Sequence, residues 1–256
     1  MTMFDKVKEW LEKQGYPLEM RVAAAFREAG FDVRQSTYYI DPETSKAREI
    51  DVQAVSVTII GYLDIRFFVE CKSGDKPWLL LCSDDTLRGF NRLRAFCGMS
   101  EDARKYFATL ENWDRLKNTL PWLTKEGVVG AYSMRQAFSG DLDAAYTAAM
   151  NVCKACHNHV GNETSRTANL HFAFPVIVVD QPLIRCMLAS DGQIELKEVE
   201  QGEFLFTGHP LYTCIRVTTL AHLAAFAKEA MGVVRVLQEE LQHEDRRLLD
   251  NLKGVR

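Results

Sequence analysis

Two neighbouring segments of this chain alternate apolar and polar residues with a period of two, and a glycine lies between them. From Arg48 to Ile59, the residues Ile50, Val52 and Ala54 alternate with Glu49, Asp51 and Gln53. From Asp64 to Lys72, the residues Ile65, Phe67, Val69 and Cys71 alternate with Arg66, Phe68, Glu70 and Lys72. Successive side chains of a strand point to opposite faces, so each segment reads as a strand with one buried face. Gly61 falls in the turn, and an antiparallel hairpin about it pairs residues whose numbers sum to about twice sixty-one. Asp51 is therefore expected opposite the neighbourhood of Glu70, Cys71 and Lys72, with Cys71 turned to the apolar face. Two carboxylates and an ammonium meet where the hairpin opens.

The flanking segments supply the other layers. Phe4, Val7, Trp10 and Leu11 recur at helical spacing up to Gln14, and Gly15-Tyr16-Pro17 breaks the pattern. A second helix is expected from Leu18 to Ala29, with Pro17 before it and Gly30 after it. Phe31 to Tyr39 reads as a strand, and Asp41-Pro42-Glu43-Thr44 as a turn. Ser83 to Gly140 reads as a mainly helical insertion, with Ser100-Glu101-Asp102 starting a helix through Leu110. Asp141 to His159 reads as a helix and Phe174 to Val179 as a strand, followed by short strands near Ile184 to Ala189, Ile194 to Val199 and Tyr212 to Val217. Leu220 to about Lys253 reads as one long helix. The expectation is a single α/β domain over residues 1–256, with a core of 1–82 and 141–218, a helical insertion at 83–140 and a carboxy-terminal helix at 219–256.

A chain of 256 residues with 47% hydrophobic content can bury a full core. No apolar run is long enough to span a membrane, and the amino-terminal segment lacks a signal-peptide core, so a cytoplasmic protein without a membrane partner is expected. Seven cysteines in apolar contexts suit buried thiols in a reducing compartment. The net charge of −4 carries no general attraction for polyanions, so any nucleic acid must be held locally.

Asp51, Glu70 and Lys72 form a set suited to phosphodiester hydrolysis. Two carboxylates hold Mg²⁺ while leaving coordination positions for water and phosphate, and a lysine beside them orients the water or stabilises the transition state. The Cys71 main-chain carbonyl is a further candidate metal ligand. Arg48-Glu49-Ile50-Asp51 followed by Val69-Glu70-Cys71-Lys72 resembles the signature of the PD-(D/E)XK, or restriction-endonuclease-like, nuclease superfamily, with Ile50 where the nominal motif has proline. The resemblance covers Glu19 to about Lys76 and, more loosely, Asp141 to Asp180. It implies an α-β-β-β-α-β core with a mixed central sheet flanked by helices, and a helix-borne acid, Glu19, supporting the metal. The downstream helix carries no clear glutamine-tyrosine motif. The activity implied is a Mg²⁺-dependent endonuclease, with Mn²⁺ as substitute, cleaving DNA in prokaryotic restriction, repair or phage defence. The alternatives are an RNA-directed nuclease and a non-catalytic interaction module that keeps the fold.

Other features carry weaker chemistry. Glu49 shares the face of Asp51 but reads first as an exposed residue at a strand start, and Glu19 in a first turn also complements a helix dipole. Cys153, Cys156, His157 and His159 have metal-ligating atoms, yet all lie on one helix end with no second ligand pair, so a metal role is not expected. Lys154 beside them reads as solvated, with phosphate contact as the rival. Arg88, Arg92 and Arg94 with Phe90 and Phe96 form either part of a nucleic-acid groove or, preferably, an amphipathic helix. Leu220, Ala227, Val234, Leu241 and Leu248 recur every seven residues, with Leu223, Ala230 and Leu237 between. A helix roughly 50 Å long at 1.5 Å per residue outruns one core, which makes it a candidate homodimer seam.

Overall fold

A computed structural model describes residues 1–58, 62–87, 95–108, 110–120, 122, 130–140, 144–161, 170–209 and 211–253. Two helices come first, α1 (Met3–Lys13) and α2 (Tyr16–Glu28). Three strands follow: β1 (Asp32–Ile40), β2 (Ala47–Val57) and β3 (Leu63–Lys72). Next come β4 (Trp78–Cys82), β5 (Gly98–Met99), α3 (Glu101–Tyr106), α4 (Leu110–Thr119), β6 (Ala131–Gln136) and α5 (Ala144–Gly161). The chain continues through β7 (Leu170–Val179), β8 (Leu183–Leu188), β9 (Ile194–Val199), β10 (Gln201–Phe206) and β11 (Thr213–Thr219) to α6 (Leu223–Lys253).

Among the described residues the strands form one mixed sheet in the order β1-β2-β3-β7-β11-β10-β6-β4-β8-β9, with β5 beside β7. The first three strands are antiparallel neighbours, whereas β3 and β7 run parallel over their whole lengths. A parallel pair needs a crossover, and α5, which leads into β7, packs on β3 and β7. Buried on both faces, β7 is a nearly continuous apolar run. Pro175 interrupts β7 between the residues paired to β5 and those paired to β11, so its missing N–H breaks no ladder bond on that edge.

The sheet carries a core on each side. On one side Val52, Phe67, Val69 and Phe174 pack under Leu18, Val22 and Phe26 of α2 and under Phe226, Val234 and Leu237 of α6. The Phe67 and Phe174 rings stack there at 4.6 Å. On the other side Phe68, Ile177 and Val179 meet Ala148, Val152 and Cys156 of α5. Ala227, Val234 and Leu241, the proposed dimer seam, are thus buried in the chain's own core, and the side chain of Leu248 lies outside the described residues. No disulfide forms among the described residues, and no described helix is long and apolar enough to cross a membrane.

The segment 83–140 departs from its helical expectation. Besides α3 and α4 it contains β5, which pairs with β7, and β6, which sits between β10 and β4. Only Ala131 and Met134 of β6 are buried, three residues apart, so no period of two is visible. Trp78 to Cys82 hid its strand for the opposite reason: all five residues are apolar although burial alternates. Phe96, offered for a nucleic-acid groove, is buried in the core, while Arg88, Phe90, Arg92 and Arg94 lie outside the described residues, as do Gly61 and Asp141.

Candidate active site

The hairpin register decides which charged groups meet. Val52 pairs with Val69 and Val57 with Asp64, a register that places Asp51 level with Glu70. Asp51 also marks an irregularity. On its other edge β2 pairs Val52 with Gln35 and Ile50 with Thr37, while Ser36 between them holds a left-handed φ of 49°. Ile50 then packs in the α5-side core and Val52 in the α2-side core, although a regular strand would put them on one face. The expected alternation of Ile50 with Val52 and Ala54 therefore fails at Asp51, where β2 turns over.

The Asp51 carboxylate reaches across the hairpin. Its Oδ2 accepts the backbone N–H of Cys71 at 2.7 Å. Glu70, only 5% exposed, accepts from Lys72 Nζ at 3.2 Å and from Asn151 Nδ2 at 3.1 Å, both on Oε1. Its other oxygen, Oε2, is buried without a hydrogen-bond partner. The Cys71 thiol points into the α2-side core, and burial holds it well above the ordinary thiol range.

Electrostatics register the convergence. Burial raises the Asp51 carboxyl, against the opposing effects of the Cys71 amide and Lys72. Burial and then the Asp51 charge raise Glu70. Glu19, in the first turn of α2, is pushed up to about 7 by partial burial and by Asp51, Glu49 and Glu70, with Lys72 opposing. Glu19, on the α2 side of the sheet, is thus within electrostatic reach of Asp51 and Glu70, whereas Glu49 is exposed.

Two participants gave no signal in the sequence. Asn151 projects from α5 onto Glu70, and nothing singles it out among the other polar residues of that helix, Thr147, Lys154, His157, Asn158 and His159. Tyr39 is 5% exposed, and its hydroxyl has no hydrogen-bond partner. Burial and the nearby Glu70 charge raise that phenol to about 12. Two unpartnered polar atoms, Tyr39 Oη and Glu70 Oε2, therefore belong to one buried neighbourhood.

Lys154 corrects both of its sequence readings, being neither solvated nor free for phosphate. It is buried and donates to Asp41 at 3.1 Å and Glu43 at 2.7 Å. Burial alone would raise the Asp41 carboxyl, yet the Glu43 amide, Lys154 and the Thr44 amide hold it at about 2. Cys153 and Cys156 are buried in the α5 core, and His159 stacks on His171 with its imidazole lowered to about 3 by burial.

Among the described residues no group of three or more His, Cys, Asp or Glu side chains forms a ready metal cage. The residues present instead fit an ion that keeps several waters and takes one or two carboxylates, as Mg²⁺ does. The unpartnered Glu70 Oε2 and the raised carboxyls of Asp51 and Glu70 are the observations that fit it. No family model, no curated protein and no solved structure matches this chain.

Proposed function

We propose that this chain is a metal-dependent endonuclease that hydrolyses phosphodiester bonds of DNA on a restriction-endonuclease-like core. The observation that carries the reading is the meeting of Asp51, Glu70 and Lys72 at the open end of the β2–β3 hairpin, with one buried oxygen of Glu70 lacking a partner. The order α2-β1-β2-β3 and, after the intervening elements β4 to β6, α5-β7, with β3 and β7 parallel, supports the same reading.

Asp51 and Glu70 would hold a divalent cation, Mg²⁺ or Mn²⁺, with the Cys71 main-chain carbonyl as a third donor. When bound, that ion supplies charge neutralisation at the phosphate and a water of lowered pKa. The Cys71 amide fixes the Asp51 carboxylate, and Asn151 fixes Glu70 Oε1, so neither acid must reorganise. Lys72 is the more exposed partner of its ion pair, 25% against 7% for Glu70. Its ammonium orients the attacking water and meets charge developing on the phosphate. Glu19, titrating near neutrality, accepts a proton at the mouth of the site. Restriction, repair or defence against phage is the setting proposed for such an activity.

The test is cleavage of plasmid, linear, single-stranded and branched DNA with Mg²⁺ or Mn²⁺. Cutting by the wild type and none by Lys72→Ala is the expected result. Uncut DNA throughout, with no Mn²⁺ binding in a calorimeter, overturns the reading and returns the chain to the class of interaction modules.

A further inference from the structure

Helix α1 buries none of its residues. Met3, Phe4, Val7 and Trp10 are all exposed, with Trp10 at 53%. At 100° per residue they form one stripe with Leu11. Lys6 and Lys13 border that stripe on one side and Lys8 on the other, while Asp5, Glu9 and Glu12 occupy the opposite face. The stripe continues onto α2. The Trp10 and Tyr16 rings lie 6.0 Å apart, and Tyr16 and Met20 are 41% and 57% exposed.

This surface adjoins the candidate active site. Gly15, between the two helices, lies so near the residue after Lys72 that a Cβ there would come within 2.9 Å of Ser73 Oγ. Tyr16 precedes Glu19 by about one helical turn, and Glu19 feels the charges of Glu70 and Lys72.

From this geometry we infer that Trp10 and Tyr16 form a stacking platform for unpaired bases beside the scissile phosphate, so that the substrate is single-stranded nucleic acid or the unpaired part of a branched one. The inference rests on the nuclease reading of the site. Aromatic faces stack on any base, but the bases of a duplex already stack on one another and do not present that face. Lys6 and Lys8, which border the apolar stripe, lie where phosphates of the same strand would pass, so cations meet the backbone while rings meet the bases, and Lys13 is paired with Glu9 at 2.7 Å.

The experiment is fluorescence anisotropy of a labelled single-stranded oligonucleotide with the full chain in chelator, where no cleavage occurs. The comparison is with a duplex of the same sequence and with vesicles containing anionic phospholipid. The wild type should bind the single strand more tightly than the duplex. A double Trp10→Ala, Tyr16→Ala variant should lose on the order of tenfold in single-strand affinity with its circular dichroism unchanged, and Trp10→Phe, Tyr16→Phe should retain most of it. Undiminished single-strand binding by the double alanine variant, or capture of the chain by vesicles and not by the oligonucleotide, overturns the inference. The two readings separate cleanly: unaltered cleavage of all substrates by the double alanine variant refutes the platform alone, whereas tight platform-dependent binding with no cleavage in Mg²⁺ or Mn²⁺ refutes the hydrolysis alone.

Discussion

Asp51 and Cys71, twenty residues apart, are tied by one hydrogen bond in which the Asp51 carboxylate accepts the Cys71 amide at 2.7 Å. The bond closes the end of the hairpin beyond its last regular pair, Val52 with Val69, and aims the acid between the residues on either side of Cys71. Structure and charge at this point can be separated by substitution.

Asp51→Asn keeps an acceptor for the Cys71 amide and removes the charge. Its melting temperature should equal or exceed that of the wild type, while Mn²⁺ binding and cleavage are lost. Asp51→Ala should lose the same functions and also about 1–3 kcal/mol of stability, because the amide is left without its partner. Calorimetric titration and urea denaturation of the pair check this, and equal stability of the two variants would count against the bond.

The Glu19 carboxyl rises from an ordinary 4.5 to about 7 in the folded chain, with burial as the main cause and then Asp51, Glu49 and Glu70. Between those values the folded state binds more protons than the unfolded state, so stability falls as pH rises. Glu19 therefore destabilises the metal-free fold at pH 8 relative to pH 5, against the opposite contribution of His159, whose lowered imidazole favours the fold as pH rises. Glu19→Gln should accordingly raise the melting temperature more at pH 8 than at pH 5. Mn²⁺ should raise the melting temperature more at pH 8 than at pH 5. Melting curves of the Gln variant that track the wild type at every pH would refute the role of Glu19.

Lys72 donates to Glu70 at 3.2 Å and keeps the more exposed end of the pair. Lys72→Met should leave the fold intact and Mn²⁺ affinity within a few-fold, because the acids remain. The single-turnover cleavage rate should drop by about 10²–10³, the usual effect of losing one preorganised donor to a transition state. A variant that cuts at the wild-type rate would remove Lys72 from the mechanism.

Lys154 bridges α5 to the turn between β1 and β2 through Asp41 and Glu43. Lys154→Met should lower the melting temperature by several degrees, since buried Asp41 loses its nearer counter-charge and keeps only Arg48 at 3.7 Å. The same helix carries Asn151 one turn earlier, so cleavage should weaken as well through the loosened contact with Glu70. Wild-type melting and cleavage together would show that the pair is dispensable.

Much of the frame is legible in the sequence, because its signals are periodic and local. The residues Phe4 to Leu11 and Leu18 to Ala29 carry a helical period that matches α1 and α2. The segments around Asp51 and Glu70 carry a strand period, and a hairpin about Gly61 places them opposite one another to within one residue. Where a strand has few inward apolar residues, as in β6, or nothing but apolar residues, as in β4, the period vanishes and so does the expectation.

The residue types and spacing around Asp51, Glu70 and Lys72 determined that a hairpin would bring two acids and a lysine to one end of a sheet, because side-chain alternation and antiparallel pairing are properties of a short stretch of chain. Tertiary structure alone decided the rest. The turnover of β2 between Ile50 and Val52, the descent of Asn151 onto Glu70 and the burial of Tyr39 with its unpartnered hydroxyl depend on α5 packing across strands more than seventy residues away. Neither pattern nor propensity encodes a contact at that separation; it exists only once two cores are filled on opposite sides of one sheet.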